Sequence, residues 1–245
     1  MDLAFTPEEL GFREEIRTWV HAHLPQDISH KVHNALHLTR EDMQRWAKIL
    51  GAKGWLGYSW PETFGGPGWS AVQKHLFEEE CALAGAPRVV PFGPVMVAPV
   101  IMAFGNAEQQ SRFLPGIASG DVWWSQGYSE PGAGSDLASL KTRAERQGDH
   151  YVVNGQKLWT SLAGDADYCW LAVRTDPAAA KHAGISMLIV DLKNTPGIRI
   201  DPLHLLSDHD INQVFFTSEV NIAAQYLQTE GGIGYVVMDV ESDNV

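Results

Sequence analysis

At 245 residues, with 44% apolar and 20% charged positions, the chain is long enough to bury a sizeable core and has the balance of a globular protein of one or two domains. Against 18 Lys and Arg stand 30 Asp and Glu, a formal charge of −12, which argues against nucleic acid as a main partner because phosphate binding draws on Lys/Arg surfaces. Two distant cysteines, Cys81 and Cys169, offer neither a metal spacing nor a disulfide framework and read as reduced core thiols. No stretch approaches the ~18 apolar residues of a spanning helix, and the N-terminus has no signal-peptide pattern, so a cytoplasmic location is expected.

The first half of the sequence reads as helices. Thr6-Pro7-Glu8-Glu9 is a capping-box pattern with Pro at the first helical position, and Phe12, Ile16, Trp19 and Val20 then follow helical spacing. Thr39 is a second N-cap, with Met43, Trp46, Ala47 and Leu50 on one face and Gly51 as the expected stop. Ser70 opens a third helix that buries Leu76, Phe77, Cys81 and Ala84 and ends at Gly85. Residues 96–104 form a short apolar helix ending at Gly105, and residues 106–114 another, with Asn106 and Gln109 in capping positions.

Near Gly120 the apolar period changes from helical to alternating. Strands are predicted at 122–127, about 140–145, 151–153, 168–174, 185–191, 198–200 and 214–217, with Gly148-Asp149 and Asn154-Gly155 as hairpin turns. Short strands spaced by turn residues predict an antiparallel barrel or sandwich. The chain therefore divides into a helical domain (1–120), a β domain (121–225) and a last segment (226–245) in which 235–240 is expected to begin a helix.

Five histidines fall in a short window: His21, His23, His30, His33 and His37. His33 and His37 have helical metal spacing, but no third ligand is patterned with them, so solvent-exposed side chains are expected and no metal. There is no Walker A motif, no GxSxG elbow and no GxGxxG.

Two runs carry chemistry. The first, Gln126-Gly127-Tyr128-Ser129-Glu130-Pro131-Gly132-Ala133-Gly134-Ser135-Asp136, joins a strand to a glycine-rich turn whose N–H groups can cradle an anion and whose hydroxyls can bind a phosphate or a ring edge. Alone, it fits an ordinary loop between strands equally well. The second, Asn154-Gly155-Gln156-Lys157-Leu158-Trp159-Thr160-Ser161, is a turn followed by a strand with an aromatic ring and two hydroxyls. Core packing is the better account of Trp159 taken singly; Ser161, two residues on and so on the same strand face, reverses that preference.

Together the two runs resemble the acyl-CoA dehydrogenase family. The likeness extends over roughly residues 1–220, including Trp60-Pro61, Gly65-Gly66-Pro67-Gly68-Trp69 and Val214-Phe215-Phe216. It implies an α+β architecture, an N-terminal helical domain followed by a β-barrel or sandwich, with the family's C-terminal helical bundle absent. It implies FAD as cofactor, held by Gln126, Tyr128, Ser129, Gly134, Ser135, Trp159 and Ser161, with Ser135 also near an acyl-CoA substrate. The implied reaction of lipid metabolism is α,β-dehydrogenation of a thioester: a carboxylate takes a proton from Cα while hydride passes from Cβ to flavin N5. An electron-transfer flavoprotein or similar acceptor and a homo- or hetero-oligomer would follow. The catalytic base is unknown. Glu241 is the carboxylate near one family position, but its surroundings do not match a buried helix, and Glu130 and Asp136 are expected to serve the loop as turn or N-cap ligands.

Overall fold

Capping chemistry opens the helices. In the computed structural model, which describes residues 4–206, 210–226 and 236–239, α1 (Pro7–His23) begins where the Thr6 hydroxyl accepts the Glu9 N–H at 3.2 Å and the Glu9 carboxylate accepts the Thr6 N–H at 2.7 Å. α2 (Gln26–His33) was not anticipated: it is eight residues long, has no side-chain cap and buries Ile28 as its single fully buried residue. α3 (Arg40–Lys53) and α4 (Ala71–Leu83) open on the reciprocal pairs Thr39/Asp42 and Ser70/Gln73. Gly51 does not stop α3; the helix runs on to Lys53, and Gly54, at φ 78°, closes it. Gly51 is a packing glycine instead, because a Cβ there would lie 2.6 Å from the Ser119 carbonyl oxygen.

The residues divide into two compact units, Met1–Val95 with Pro115–Asp121, and Met96–Leu114 with Val122–Val245. The core of the first gathers Ile16, Val20, Leu24, Ile28, Trp46 and Leu50 around Trp55, whose ring meets Trp19 at 4.5 Å, Trp69 at 5.3 Å and Phe77 at 5.9 Å. Glu80, 3% exposed, takes the Arg13 Nε at 2.6 Å and the Arg17 Nε at 2.9 Å, which ties α4 to α1.

After a π-turn at Phe92–Val97 come α5 (Ala98–Phe104) and α6 (Ala107–Ser119). The second of these does not end at Leu114. It continues through Pro115, which forfeits one backbone hydrogen bond, because Ile117 beyond it is 1% exposed and packing holds the final turn. The division between units passes through α6 at this proline. Residues 96–114 group with the strands: Phe113 sets its ring edge against Trp124 at 5.9 Å and Tyr168 at 5.6 Å.

The strands are β1 (Trp124–Gly127), β2 (Arg143–Gln147), β3 (His150–Ser161), β4 (Tyr168–Arg174), β5 (Ile185–Asp191), β6 (Ile198–Leu203), β7 (Ile211–Tyr226) and β8 (Val236–Asp239). They form one eight-stranded sheet with path β1-β4-β2-β3-β7-β6, while β5 pairs with β4 and β8 with β7. The sheet is mixed rather than wholly antiparallel, since β1 runs parallel to β4 with Trp124 opposite Tyr168 and Gly127 opposite Leu171. Its core is apolar: Val153, Cys169, Leu171, Val173, Leu188 and Val214 are fully buried.

Two expectations for the strands are corrected. Gly148, at φ 66°, does make the turn between β2 and β3, but Asn154-Gly155 makes none. β3 passes straight through it with a register shift between Val153 and Gly155. Gly155 is there for room, since a Cβ would lie 2.5 Å from the Thr142 hydroxyl oxygen and 2.6 Å from its Cα. The segment expected to open a helix at 235–240 instead contains β8, where Val236 and Val237 extend the ladder on Tyr226 and Gln225 of the long β7 strand. Glu241 lies outside the described residues.

Candidate functional site

Both chemistry-bearing runs lie in the strand-containing unit, and hydrogen bonds join them. The Leu158 N–H donates to the Ser129 carbonyl at 2.8 Å. Lys157 Nζ donates to the Tyr128 carbonyl at 3.0 Å and to Glu130 Oε1 at 2.8 Å. The Glu130 carboxylate also accepts the backbone N–H groups of Lys141 at 2.7 Å and Thr142 at 2.9 Å. Glu130 is 9% exposed and Lys157 0%. Burial pushes the Glu130 carboxyl upward, but the Lys157 hydrogen bond and charge, together with the hydrogen bonds from Thr142 and Lys141, outweigh it and hold the group below its ordinary value. Burial likewise lowers Lys157, against the restoring pull of Glu130. Sequence reasoning assigned Glu130 a turn role and overlooked Lys157; a lysine in a motif reads as a surface charge until its burial is seen.

The turn itself is built differently from the expectation. Neither Gly132 nor Gly134 has a left-handed φ. Glu130 and Ala133 close the turn by exchanging N–H to carbonyl bonds at 2.8 and 3.1 Å. Space beside Gly132 and Gly134 is open, with nothing within 4 Å of a Cβ built on either, so the backbone there is reachable by a ligand. Gly134 and Ser135 stand on the exposed outer limb of the turn. Gln126 is half-buried on β1 opposite Trp170, and Tyr128 and Ser129 are half-buried just beyond it. Asp136 stays exposed, bonded to the Ser139 hydroxyl and to Lys181. Gly127 is a further requirement that sequence reasoning missed, because a Cβ there would meet Leu171 Cδ1 at 2.8 Å and Cys169 Sγ at 2.9 Å.

On β3 a bulge governs the aromatic residue. Lys157 pairs with Val214 and Thr160 with Asn212, so three steps on β3 face two on β7. Trp159 falls in the shift at φ 62°, a left-handed conformation uncommon for a bulky residue, and its side chain is 55% exposed. Leu162, at φ 60°, turns the chain again as its N–H donates to the Asp210 carbonyl at 2.8 Å. Thr160 between them is buried and Ser161 half-buried. An exposed indole, hydroxyls at Ser129, Ser135 and Ser161, and open backbone along the turn are a set that fits a flat heteroaromatic ring with an attached phosphate.

A recess of about 650 Å³ is bordered by Glu130, Gly132, Lys141, Arg143, Asn154 and Gln156. Among the described residues no group of three or more His, Cys, Asp or Glu side chains is arranged to hold a metal. Among them, too, no helix is long and apolar enough to cross a membrane. Both thiols are free: burial pushes Cys81 up to about 12 and Cys169 up to about 11.

Residues 6–121 match the family described as acyl-CoA dehydrogenase, N-terminal domain, and residues 125–218 the family described as acyl-CoA dehydrogenase, middle domain. The chain is 43% identical over 227 residues to acyl-CoA dehydrogenase FadE26 of Mycobacterium tuberculosis, covering 89% of this chain and 55% of that protein. It is 38% identical over 249 residues to acyl-CoA dehydrogenase FadE29 of the same organism, covering 100% and 62%. The chain thus spans little more than half the length of these curated relatives. Among solved structures, the Tcur3481-Tcur3483 steroid ACAD superposes with a TM-score of 0.81 at 40% identity, over 91% of this chain and 57% of that one. The ChsE4-ChsE5 complex from Mycobacterium tuberculosis does so with a TM-score of 0.79 at 43% identity, over 91% and 56%. With the helices, most of the strands and both motif runs inside the matched regions, the chain belongs to the acyl-CoA dehydrogenase family.

Proposed function

We propose that this chain forms the FAD-holding part of an acyl-CoA dehydrogenase that oxidises the Cα–Cβ bond of an acyl-CoA thioester. The observation that carries the proposal is Trp159, turned out of β3 at a left-handed φ and 55% exposed, beside half-buried Ser161. A buried apolar ring needs no such strain; an exposed one serves as a face for a flat ligand. Gln126, Tyr128, Ser129 and Ser161 would border the ring, and Gly134 with Ser135 the phosphates, Ser135 also near the pantetheine or phosphates of the acyl-CoA. When bound, FAD supplies the hydride acceptor. The residues of this chain bind and orient: Trp159 covers one face of the site against water, and the hydroxyls fix the ring edge.

The proton-abstracting carboxylate belongs, in this proposal, to protein outside the described residues. Two of the solved relatives carry paired names, Tcur3481-Tcur3483 and ChsE4-ChsE5, and one is called a steroid ACAD. That favours a second acyl-CoA dehydrogenase chain as partner and a steroid-derived thioester as substrate class, with an electron-transfer flavoprotein as acceptor. The alternative is a non-catalytic flavin- or acyl-CoA-binding partner subunit. Visible absorption after FAD loading and desalting tests the cofactor: retained flavin bands are expected, and a colourless protein would sink the proposal. Bleaching by an acyl-CoA once a complementary chain is added separates the enzyme from the non-catalytic subunit.

A further inference from the structure

Lys157 is a fully buried cation with a built set of partners, and nothing in the dehydrogenation chemistry uses it. Its stem runs beside Gly127, where a Cβ would stand 3.5 Å from Lys157 Cγ. Its ammonium reaches the Tyr128 carbonyl at 3.0 Å and Glu130 Oε1 at 2.8 Å. Glu130 in turn holds the N–H groups of Lys141 and Thr142. Three separate stretches are thereby pinned to one point: the turn after β1, the entry to β2, and β3 immediately before the bulge that turns Trp159 outward.

Stability alone does not call for this arrangement. A buried ion pair costs several kcal/mol of desolvation per ion, and neutral residues of the same shape are often as stable. What a Met at 157 could not do is hydrogen-bond a carbonyl at a set height. Ser129 follows Tyr128 and Trp159 follows Lys157 by two, so the pair sets the spacing between the two ligand-facing surfaces.

We propose that Glu130 and Lys157 are a positioning pair for the flavin, fixing the Ser129 side of the site against Trp159; this rests on the flavin proposal above. The pair touches no reacting atom. Its effect is on how closely the indole face and the Tyr128–Ser129 backbone close on the ring.

The test uses this full chain and FAD itself. Wild type, Lys157→Met and the double variant Glu130→Gln/Lys157→Met are titrated with FAD, following flavin emission, and melted by circular dichroism. Indole stacking quenches flavin emission, so the wild-type complex should be dark. Breaking the pair singly strands a buried carboxylate, and Lys157→Met is expected to melt well below wild type. The double variant removes both charges but turns an amide NH2 toward one of the Lys141 and Thr142 N–H groups, so it is expected to melt above Lys157→Met and below wild type while binding FAD at least about tenfold more weakly, with emission recovered in the complex. A folded double variant with wild-type affinity and full quenching would overturn the proposal. Should the double variant not fold, Lys157→Arg decides: it keeps a cation beside Glu130 but moves the donors that reach the Tyr128 carbonyl, and about threefold weaker binding is expected, unchanged binding overturning the pair. No uptake of FAD by wild type would instead remove the flavin proposal, a result readable before any variant is made.

Discussion

Trp159 shows what a motif tells of a residue and what it leaves out. Its place two residues before Ser161 identifies a shared strand face, but not the bulge that gives it a left-handed φ and leaves 55% of it exposed. Trp159→Ala is expected to weaken FAD binding by about 1 kcal/mol or more and to lower the melting temperature less than truncation of a fully buried tryptophan such as Trp124 would, because the residue is 55% exposed. A flavin titration with unchanged affinity would end the stacking role. Gly155 makes the converse point: Asn-Gly spells a hairpin turn in sequence, yet the glycine serves the close approach of Thr142. Gly155→Ala should cost about 1–3 kcal/mol by overpacking, read as a lower denaturant midpoint. Asp42 supplies a pH prediction. The Lys31 hydrogen bond, with the Thr39 N–H and hydroxyl, outweighs burial and lowers its carboxyl to about 2. A depressed carboxylate adds stability above its unfolded value near 3.8 and loses it as pH falls toward 2. Asp42→Asn should therefore be less stable than wild type at neutral pH, and the difference should shrink between about pH 4 and pH 2 in thermal melts.

At the scale of elements, local chemistry marked the starts of helices better than their ends. Thr6, Thr39 and Ser70 each carry the reciprocal cap that their sequence spells, because the cap is complete within four residues. Helix ends depend on what packs beyond them. α3 runs past Gly51 to Lys53, the glycine serving the close approach of Ser119 rather than a stop, and α6 runs past Pro115 because Ile117 is buried. α2 escaped notice since one buried residue in eight makes no period. A paired substitution tests this: Gly11→Ala in α1, where a Cβ meets nothing within 4 Å, should stabilise by about 0.5–1 kcal/mol. Gly51→Ala makes the same gain in helix propensity, yet should destabilise, because the Cβ would press on the Ser119 carbonyl at 2.6 Å. Equal shifts in the two melts would mean that Gly51 is not a packing position.

For the whole molecule, the resemblance carried by two short runs pointed to the family that the matches at 6–121 and 125–218 show. The chain spans about half of its relatives' length. Sequence by itself determined the succession of helices then strands, the helix caps, most strand positions and the two runs that hold the candidate site. These are properties of neighbours along the chain: capping, periodicity and motif identity act over a few residues. Tertiary structure alone decided that β1 lies parallel to β4, that β3 runs through Asn154-Gly155, and that 236–239 pairs with β7. It alone also showed Lys157 fully buried against Glu130, 27 residues away in sequence. Those outcomes depend on which distant backbone groups and charges meet once water is excluded, and no short stretch of sequence contains both partners.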